Sequence, residues 1–398
     1  MTSFTPEHPF KVALYNVTTT TKTGGVESFV WELARQLAAR YPNCRVDIIG
    51  GKSPVGFHHP DPGPQVRIIT RPFISRETLR HLPLLSRLYG LTKLLERLSF
   101  GVVALPLLWR ERYAIIHIQK PYDLPIARLI QKVHGSKVLF GCHGKDFFPL
   151  DRLFSRGIDG AISCSHYNAE TVEEHYGILP IVVNNGIDVE LFTPRPVRPD
   201  LRTRLAPQGE GVVLFVGRLV RWKGAQYLIE ALPRLNARGL QVRAVLAGEG
   251  TYREELELLA THLGVAGQVL FLGNIPNQEL PDYYAAADIV VGTSFANETF
   301  GIALCEAAAC ERPIVASEFG GFKEVVRDGE TGLLYQPQDV AELAEKLERL
   351  LCNVVLRQQM GQAGRAFVLA NFTWEGVAER VYHQYCKLLE RKFFNTYS

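Results

Sequence analysis

The sequence predicts two doubly wound α/β domains, each built on a parallel sheet. Three observations carry that expectation. Short apolar runs alternate with helical periodicity through both halves of the chain. A stretch rich in Pro and Arg interrupts the alternation near the middle. At 398 residues the chain also exceeds what one ordinary core accommodates.

The first series opens with Lys11-Val12-Ala13-Leu14-Tyr15, a short apolar strand. A helix over 27–40 follows, with Val30, Leu33, Ala34 and Leu37 at i, i+3, i+4 and i+7. Runs at 45–49, 114–118, 137–140, 158–163 and 181–183 supply further strands, and the intervening helices imply parallel pairing. Residues 193–211 read as a linker. The second series then places strands at 212–216, 241–246, 269–271, 288–291 and 313–316. Helices at 226–238, 252–263, 280–286 and 300–309 connect them. A last helix over 374–391 carries Val377, Val381, Tyr385 and Leu388 at helical spacing. The expectation is a pair of Rossmann-like domains, over 1–195 and 205–372, with ligands beyond the carboxyl ends of the strands in a cleft.

Bulk composition narrows the function classes. Hydrophobic content of 46% and charge of 21% are those of a globular enzyme, and a net charge of +3 does not suit a nucleic-acid coat. Seven cysteines without a C-x-x-C pair argue against a zinc knuckle or a disulfide framework and for a reducing compartment. The polar, proline-containing first nine residues show no secretory signal. The apolar run from Leu98 to Trp109 is about half of the ~20 residues that a bilayer requires. A cytoplasmic protein, at most peripheral on the inner face of a membrane, is expected.

The chemistry concentrates at strand ends. Asn297-Glu298-Thr299-Phe300-Gly301-Ile302-Ala303-Leu304-Cys305-Glu306 follows a buried strand and opens a helix whose first amides attract anions. Glu298, just before that turn, is placed to hold a sugar hydroxyl. Glu306, about 9 Å further along, is placed to hold a ribose diol. Gly217-Arg218 and Lys223-Gly224 follow the strand at 212–216, where a guanidinium and an ammonium suit a diphosphate. A solvated basic loop is the plain alternative. Gly24-Gly25 permits close approach of a phosphate or sugar, or simply makes a turn into the helix. His143 stands at another strand end, for a hydrogen bond to a sugar hydroxyl or acid–base work. Asp146 caps the next segment, orients an acceptor or acts as a base. Gly248 in Ala247-Gly248-Glu249-Gly250 offers backbone against which a nucleobase could lie. Neither a G-x-G-x-x-G fingerprint after the first strand nor an Asp-x-Asp pair for a metal is present, so no metal is called for.

Taken in order, Gly24-Gly25, His143-Gly144-Lys145-Asp146, Asn185-Gly186-Ile187-Asp188, Gly217-Arg218 with Lys223-Gly224, Glu298 with Glu306, and Gly320-Gly321-Phe322-Lys323-Glu324 resemble the family-4 retaining glycosyltransferases of the GT-B fold. The likeness runs from about residue 11 to residue 390. It implies two Rossmann-like domains facing across a deep cleft, with the helix at 374–398 crossing back to complete the first. It implies a nucleotide-sugar donor held by the C-terminal domain and a saccharide or lipid-linked acceptor held by the N-terminal one. Arg218, Lys223 and Gly25 would attend the diphosphate. Glu298 and the amides of Phe300, Gly301 and Ile302 would attend the sugar, Glu306 the ribose, and His143 the sugar near its reacting face. Retention without an essential metal or cofactor is implied, and UDP-sugars are the favoured donors. With no carboxylate evident as a nucleophile, front-face attack is the expected route. Glu311 stands where the family pattern has Gly, which is expected to alter only a turn.

Two further features complete the reading. Residues 71–112 match no family motif and carry eight Lys or Arg against three Glu. Leu84, Leu88, Leu91, Leu95 and Leu98 form a stripe there, with Lys93 and Arg97 expected on the opposite side. The stripe either packs on the sheet or, as a basic amphipathic helix, meets an anionic membrane. The other functional classes are a nucleotide-sugar-binding protein without transfer, a dinucleotide oxidoreductase lacking its glycine fingerprint, and a pyridoxal-phosphate-dependent phosphorylase.

Overall fold

The computed structural model describes residues 8–81, 89–144, 146–148 and 150–394. It divides into two units, Met1–Asn184 with Trp374–Ser398, and Asn185–Thr373. The first unit runs β1 (Phe10–Tyr15), α1 (Gly25–Arg40), β2 (Cys44–Gly51), β3 (Arg67–Arg71), α2 (Arg76–Arg80), α3 (Tyr89–Glu111) and β4 (Ile115–Ile118). It continues with α4 (Leu124–His134), β5 (Lys137–Cys142), α5 (Asp151–Ser155), β6 (Gly160–Ser163), α6 (His166–Tyr176) and β7 (Ile181–Val182). The sheet order is β3-β2-β1-β4-β5-β6-β7, and every pairing is parallel.

Alternation along β1 feeds two cores, because successive strand side chains face opposite ways. Val12 and Leu14 join Leu33 and Leu37 of α1, whereas Ala13 and Tyr15 join Phe100 and Leu108 of α3. The final helix, α15 (Trp374–Phe394), belongs to this unit. Its Val377, Val381 and Tyr385 are fully buried in the α1 core, at the periodic positions read from the sequence. Val377 and Val381 each contribute ~1.5–3 kcal/mol by leaving water, which helps fasten α15 in place.

The second unit runs α7 (Pro199–Leu205), β8 (Gly211–Val216), α8 (Ala225–Ala237), β9 (Val242–Ala247), α9 (Arg253–His262), β10 (Val269–Gly273) and α10 (Leu280–Ala286). Then come β11 (Ile289–Gly292), α11 (Ile302–Ala309), β12 (Ile314–Ser317), α12 (Phe322–Val325), β13 (Gly332–Tyr335), α13 (Val340–Leu351) and α14 (Val354–Asn371). Its order, β10-β9-β8-β11-β12-β13, is again wholly parallel. Both units are therefore Rossmann-like.

Three expectations need correction. The unit boundary falls after Asn184, not at 195–205, and the expected linker contains α7. Specific contacts tie this segment to the second unit: Arg195 pairs with Asp282 at 2.9 Å, and Arg202 with Asp288 at 2.8 Å. The helix expected from Phe300 begins at Ile302, because Gly301 sits at φ 104° and Asn297 at φ 55°, outside helical geometry. Glu311, in the family's glycine position, adopts φ 57°, the left-handed conformation that explains the usual preference for glycine.

The third correction concerns α3. Leu84 and Leu88 lie outside the described residues. In the first half of the helix the inner residues are polar, with Lys93 8% exposed, Glu96 4% and Arg97 2%, whereas the second half buries Phe100, Ala104, Leu107 and Leu108 against the sheet. Leu91 (40%), Val102 (61%) and Trp109 (55%) face out. Of the leucine stripe, Leu91 is exposed, Leu95 and Leu98 are half-buried outside the core clusters, and the two cations are not on a solvated face.

Candidate functional site

Each sheet reverses its order beside its first strand, between β1 and β4 and between β8 and β11. Open α/β sheets bind ligands outside the strand ends at such switch points.

In the second unit the loop after β8 carries Gly217, Arg218, Trp222 and Lys223, and the loop after β11 carries Thr293, Ser294 and Glu298. The two are pressed together. A Cβ on Gly224 (φ 75°) would lie 1.9 Å from the Thr293 carbonyl oxygen, and the Thr293 hydroxyl donates to the Lys223 carbonyl at 2.9 Å. A Cβ on Gly248, after β9, would lie 1.9 Å from the Gly217 carbonyl oxygen, so only glycine fits there too. Lys223 Nζ reaches Glu298 Oε2 at 2.7 Å, and Ser294 Oγ donates to the same oxygen at 2.9 Å. Glu298 is only 7% exposed, so this carboxylate is fixed in place by a cation and a hydroxyl. The Trp222 ring lies under both loop cations, 4.9 Å from Lys223 Nζ and 5.6 Å from the Arg218 guanidinium carbon.

Past Glu298 the chain turns through Gly301 into α11. Leu304 and Cys305 both donate to the Gly301 carbonyl, so the helical ladder starts from there and the amides of Phe300, Gly301 and Ile302 precede it. The Phe300 ring is buried edge-on against Phe372, leaving its backbone as the part available to a ligand. Gly321 crosses so close behind that a Cβ would lie 2.4 Å from Phe300 Cα. One turn into α11, Glu306 Oε2 accepts from the Tyr284 hydroxyl at 2.9 Å. Burial pushes the Glu306 carboxyl up to about 7, and the Tyr284 hydrogen bond opposes that rise.

In the first unit Gly24 precedes α1 and Gly25 opens it. The Glu27 carboxylate lies under this turn, buried and accepting from the Thr18 hydroxyl. His143 follows β5; its Nε2 is 2.7 Å from Gln119 Oε1, and its ring meets Phe29 edge-on at 4.7 Å. Burial, reinforced by Lys120 and His117, depresses the His143 pKa to about 3, so the imidazole is neutral near pH 7. Behind it His117, fully buried on β4, has Nδ1 2.8 Å from the Tyr385 hydroxyl of α15. Asp146 is shared by Lys93 and by Lys120 at 3.1 Å. Burial alone would raise its pKa, but Lys120 and Lys93 outweigh that and hold it low. A buried Arg97–Asp123 pair lies in the same unit, with Arg97 Nη2 donating to Asn16 Oδ1 at 2.9 Å.

The residues singled out from the sequence thus gather by unit. Gly217, Arg218, Lys223, Gly248, Glu298, Phe300, Gly301, Ile302 and Glu306 lie in the second, and Gly24, Gly25, His143 and Asp146 in the first. Sequence reasoning missed Trp222, Ser294, Tyr284 and Gln119. Ser294 was legible as the residue two past a switch-point strand; Tyr284 looked like helix interior and carried no such signal. Among the described residues no three His, Cys, Asp or Glu side chains gather to hold a metal ion, and none of the seven cysteines is in a disulfide.

Two family models match the chain. One, described as Glycosyltransferase Family 4, covers residues 23–191, and the other, described as Glycosyl transferases group 1, covers residues 198–367. The chain is 33% identical over 260 residues to the GDP-mannose-dependent alpha-(1-6)-phosphatidylinositol monomannoside mannosyltransferase of Mycolicibacterium smegmatis, spanning 62% of this chain and 67% of that protein. It is 30% identical over 382 residues to a D-inositol 3-phosphate glycosyltransferase of Arthrobacter sp., spanning 89% and 88%. Against the enzyme of that name from Corynebacterium diphtheriae, identity is 38%, and the match spans 51% of that protein, about half its length. Sucrose-phosphate synthase from Thermosynechococcus elongatus has the same fold, with a TM-score of 0.76 over 97% of this chain and 100% of that one at 24% identity.

Proposed function

The chain belongs to the family-4, or group 1, glycosyltransferases, and from that premise we propose that it transfers a sugar from a nucleotide-diphosphate donor to a saccharide or lipid-linked acceptor. We assign the donor to the second unit, with retention of anomeric configuration and no metal ion. The observation that carries this reading is the cluster at the β8/β11 switch point, where Lys223 and Ser294 fix the Glu298 carboxylate and Arg218 shares the Trp222 ring with Lys223.

Breaking the bond from the anomeric carbon to the diphosphate oxygen leaves positive charge on the sugar and negative charge on the leaving group. Arg218 and Lys223 neutralise the latter, and fixed cations there favour the transition state over the ground state; one such contact is worth ~10²–10³ in rate. Glu298 accepts from sugar hydroxyls, and the amides of Phe300, Gly301 and Ile302 add donors. Lys223 joins the two halves of the donor, since one ammonium serves both the phosphates and Glu298. The acceptor oxygen attacks the face the diphosphate leaves, and its proton passes to the departing oxygen. Glu306 takes the ribose diol. In the first unit the neutral His143 hydrogen-bonds a sugar hydroxyl without acting as a charged acid.

The outward apolar stripe of α3 supports a lipid-linked acceptor. Leu91, Val102 and Trp109 are joined by exposed Leu129 and Val133 of α4, beside the exposed cations Arg110 and Lys132. An apolar face rimmed by cations suits an anionic membrane surface. No helix among the described residues is long and apolar enough to cross a membrane.

The test is donor hydrolysis with UDP-glucose, UDP-N-acetylglucosamine, UDP-galactose and GDP-mannose, with and without EDTA, then transfer to inositol phosphate and inositol phospholipid. Nucleotide release from one donor, insensitive to EDTA and lost in Glu298→Ala, is expected. Nucleotide binding without turnover on any acceptor would instead favour a binding protein.

A further inference from the structure

Tyr284 sits on α10 with no exposed surface, yet its hydroxyl points at a carboxylate. That hydroxyl is 2.9 Å from Glu306 Oε2 and 3.1 Å from the Ala303 carbonyl oxygen. A phenol has one proton, and an ionised carboxylate is the stronger acceptor, so the bond goes to Glu306 whenever Glu306 is charged. The ring is anchored edge-on against the buried Phe192, 6.1 Å between centroids, which leaves the hydroxyl little freedom. We infer that Tyr284 is a positioning residue for the donor site, its hydroxyl holding the Glu306 carboxylate ionised and oriented to accept the ribose diol of the nucleotide. The inference rests on the reading of Glu306 given above.

The surroundings of Glu306 give this bond its weight. No ion pair to Glu306 occurs among the described residues. Cys305 on its own helix and Cys310 just past the helix end are thiols that burial pushes further from ionisation. Arg195, Arg312 and Arg365 offset burial at the Cys310 thiol, and none of them forms an ion pair with Glu306 among the described residues. Among the described residues Tyr284 is the side chain that hydrogen-bonds the Glu306 carboxyl and opposes burial, which raises it to about 7. A diol donates two protons and so favours the ionised carboxylate. Nucleotide affinity must then weaken as pH falls through the Glu306 pKa. Loss of the Tyr284 hydroxyl moves that pKa higher, because a hydrogen bond to the charged form is removed. A midpoint about one pH unit higher lowers the ionised fraction at pH 7 from about a half to about a tenth, a roughly fivefold loss of affinity.

Calorimetric titration of UDP and GDP between pH 5.5 and 9 tests this in the whole chain. The proteins are wild type, Tyr284→Phe, Glu306→Gln and the double variant. Wild type should show a midpoint near 7, and Tyr284→Phe one about a unit higher with affinity restored at pH 9. Glu306→Gln should bind weakly, with only the pH dependence that the nucleotide's own terminal phosphate contributes, and adding Tyr284→Phe to it should change nothing. A 2′,3′-dideoxy nucleotide should bind wild type and Tyr284→Phe alike. If Glu306→Gln binds as tightly as wild type, the ribose reading fails and the inference falls with it. If Glu306→Gln is weak but the Tyr284→Phe midpoint has not moved, the assignment of Tyr284 alone is overturned. Should Tyr284→Phe fail to fold, difluorotyrosine at position 284 decides the matter: a stronger donor must lower the midpoint, and no change refutes the role.

Discussion

Leucine at Arg97 or at Asp123 should each destabilise the first unit severely, whereas leucine at both should not. Arg97 is 2% exposed and Asp123 0%, and they form an ion pair with Arg97 also bonded to Asn16. Removing one partner leaves an uncompensated buried charge, which costs ~3–5 kcal/mol. That is a large part of the ~5–15 kcal/mol that holds a domain together. The pair is not ideally satisfied, since among the described residues Arg97 Nε and Asp123 Oδ1 have no hydrogen-bond partner. Burial raises the Asp123 carboxyl to about 6 despite Arg97, which lowers it. Replacing both by leucine should therefore come within ~2 kcal/mol of wild type, with a coupling of several kcal/mol in the double-mutant cycle. Urea unfolding followed by tryptophan fluorescence reads this unit if Trp222 is first replaced by Phe, because Trp31, Trp109 and Trp374 all lie in it. A loss below ~1 kcal/mol in Arg97→Leu would refute the inward orientation of the polar face of α3 and restore the solvated one.

Gly224→Ala should cost far more than Gly239→Ala. Both positions have positive φ, 75° and 77°, but only Gly224 meets a carbonyl oxygen; thermal melts and nucleotide-diphosphate binding should separate them, and equal behaviour would show that the β8 and β11 loops are not in contact. His117 is buried with its pKa lowered to about 3, below an ordinary value of 6.5, so the unfolded chain binds its proton first and stability falls as pH drops below 6.5. By pH 5 this amounts to ~2 kcal/mol, and His117→Asn should flatten the pH dependence of the urea midpoint by about one proton. Val102→Ser with Trp109→Ser should reduce partitioning onto phosphatidylglycerol vesicles at least tenfold, given ~1.5–3 kcal/mol for each side chain fully removed from water. Unchanged partitioning would remove α3 as the membrane-facing element.

How much of this was legible depended on whether a signal was local. Strand and helix positions were, because Val12 and Leu14, or Val377 and Tyr385, declare their burial through spacing alone. The donor cluster was nearly so: Arg218, Lys223 and Glu298 all follow strands, and the strand order brings those ends together. The Lys223–Glu298 pairing was not legible, since it depends on Gly224 lying against Thr293, a contact between segments about 70 residues apart. The α3 helix marks the limit most sharply. Periodicity located a face with leucines and an opposite face with Lys93 and Arg97, but periodicity says only that two faces differ, not which one is inside. The sign was set by Asp146, Asp123 and Asn16, which arrive from the loops after β5, β4 and β1 and offer the cations partners that water would otherwise supply. Three acceptors from three loops at one sheet's switch side make the polar face the cheaper one to bury. The same arrangement leaves Leu91, Val102 and Trp109 facing out even as Phe100 and Leu108 of the same helix are buried, so the polar network in the first unit and the surface proposed for a lipid-linked acceptor are two consequences of one packing choice.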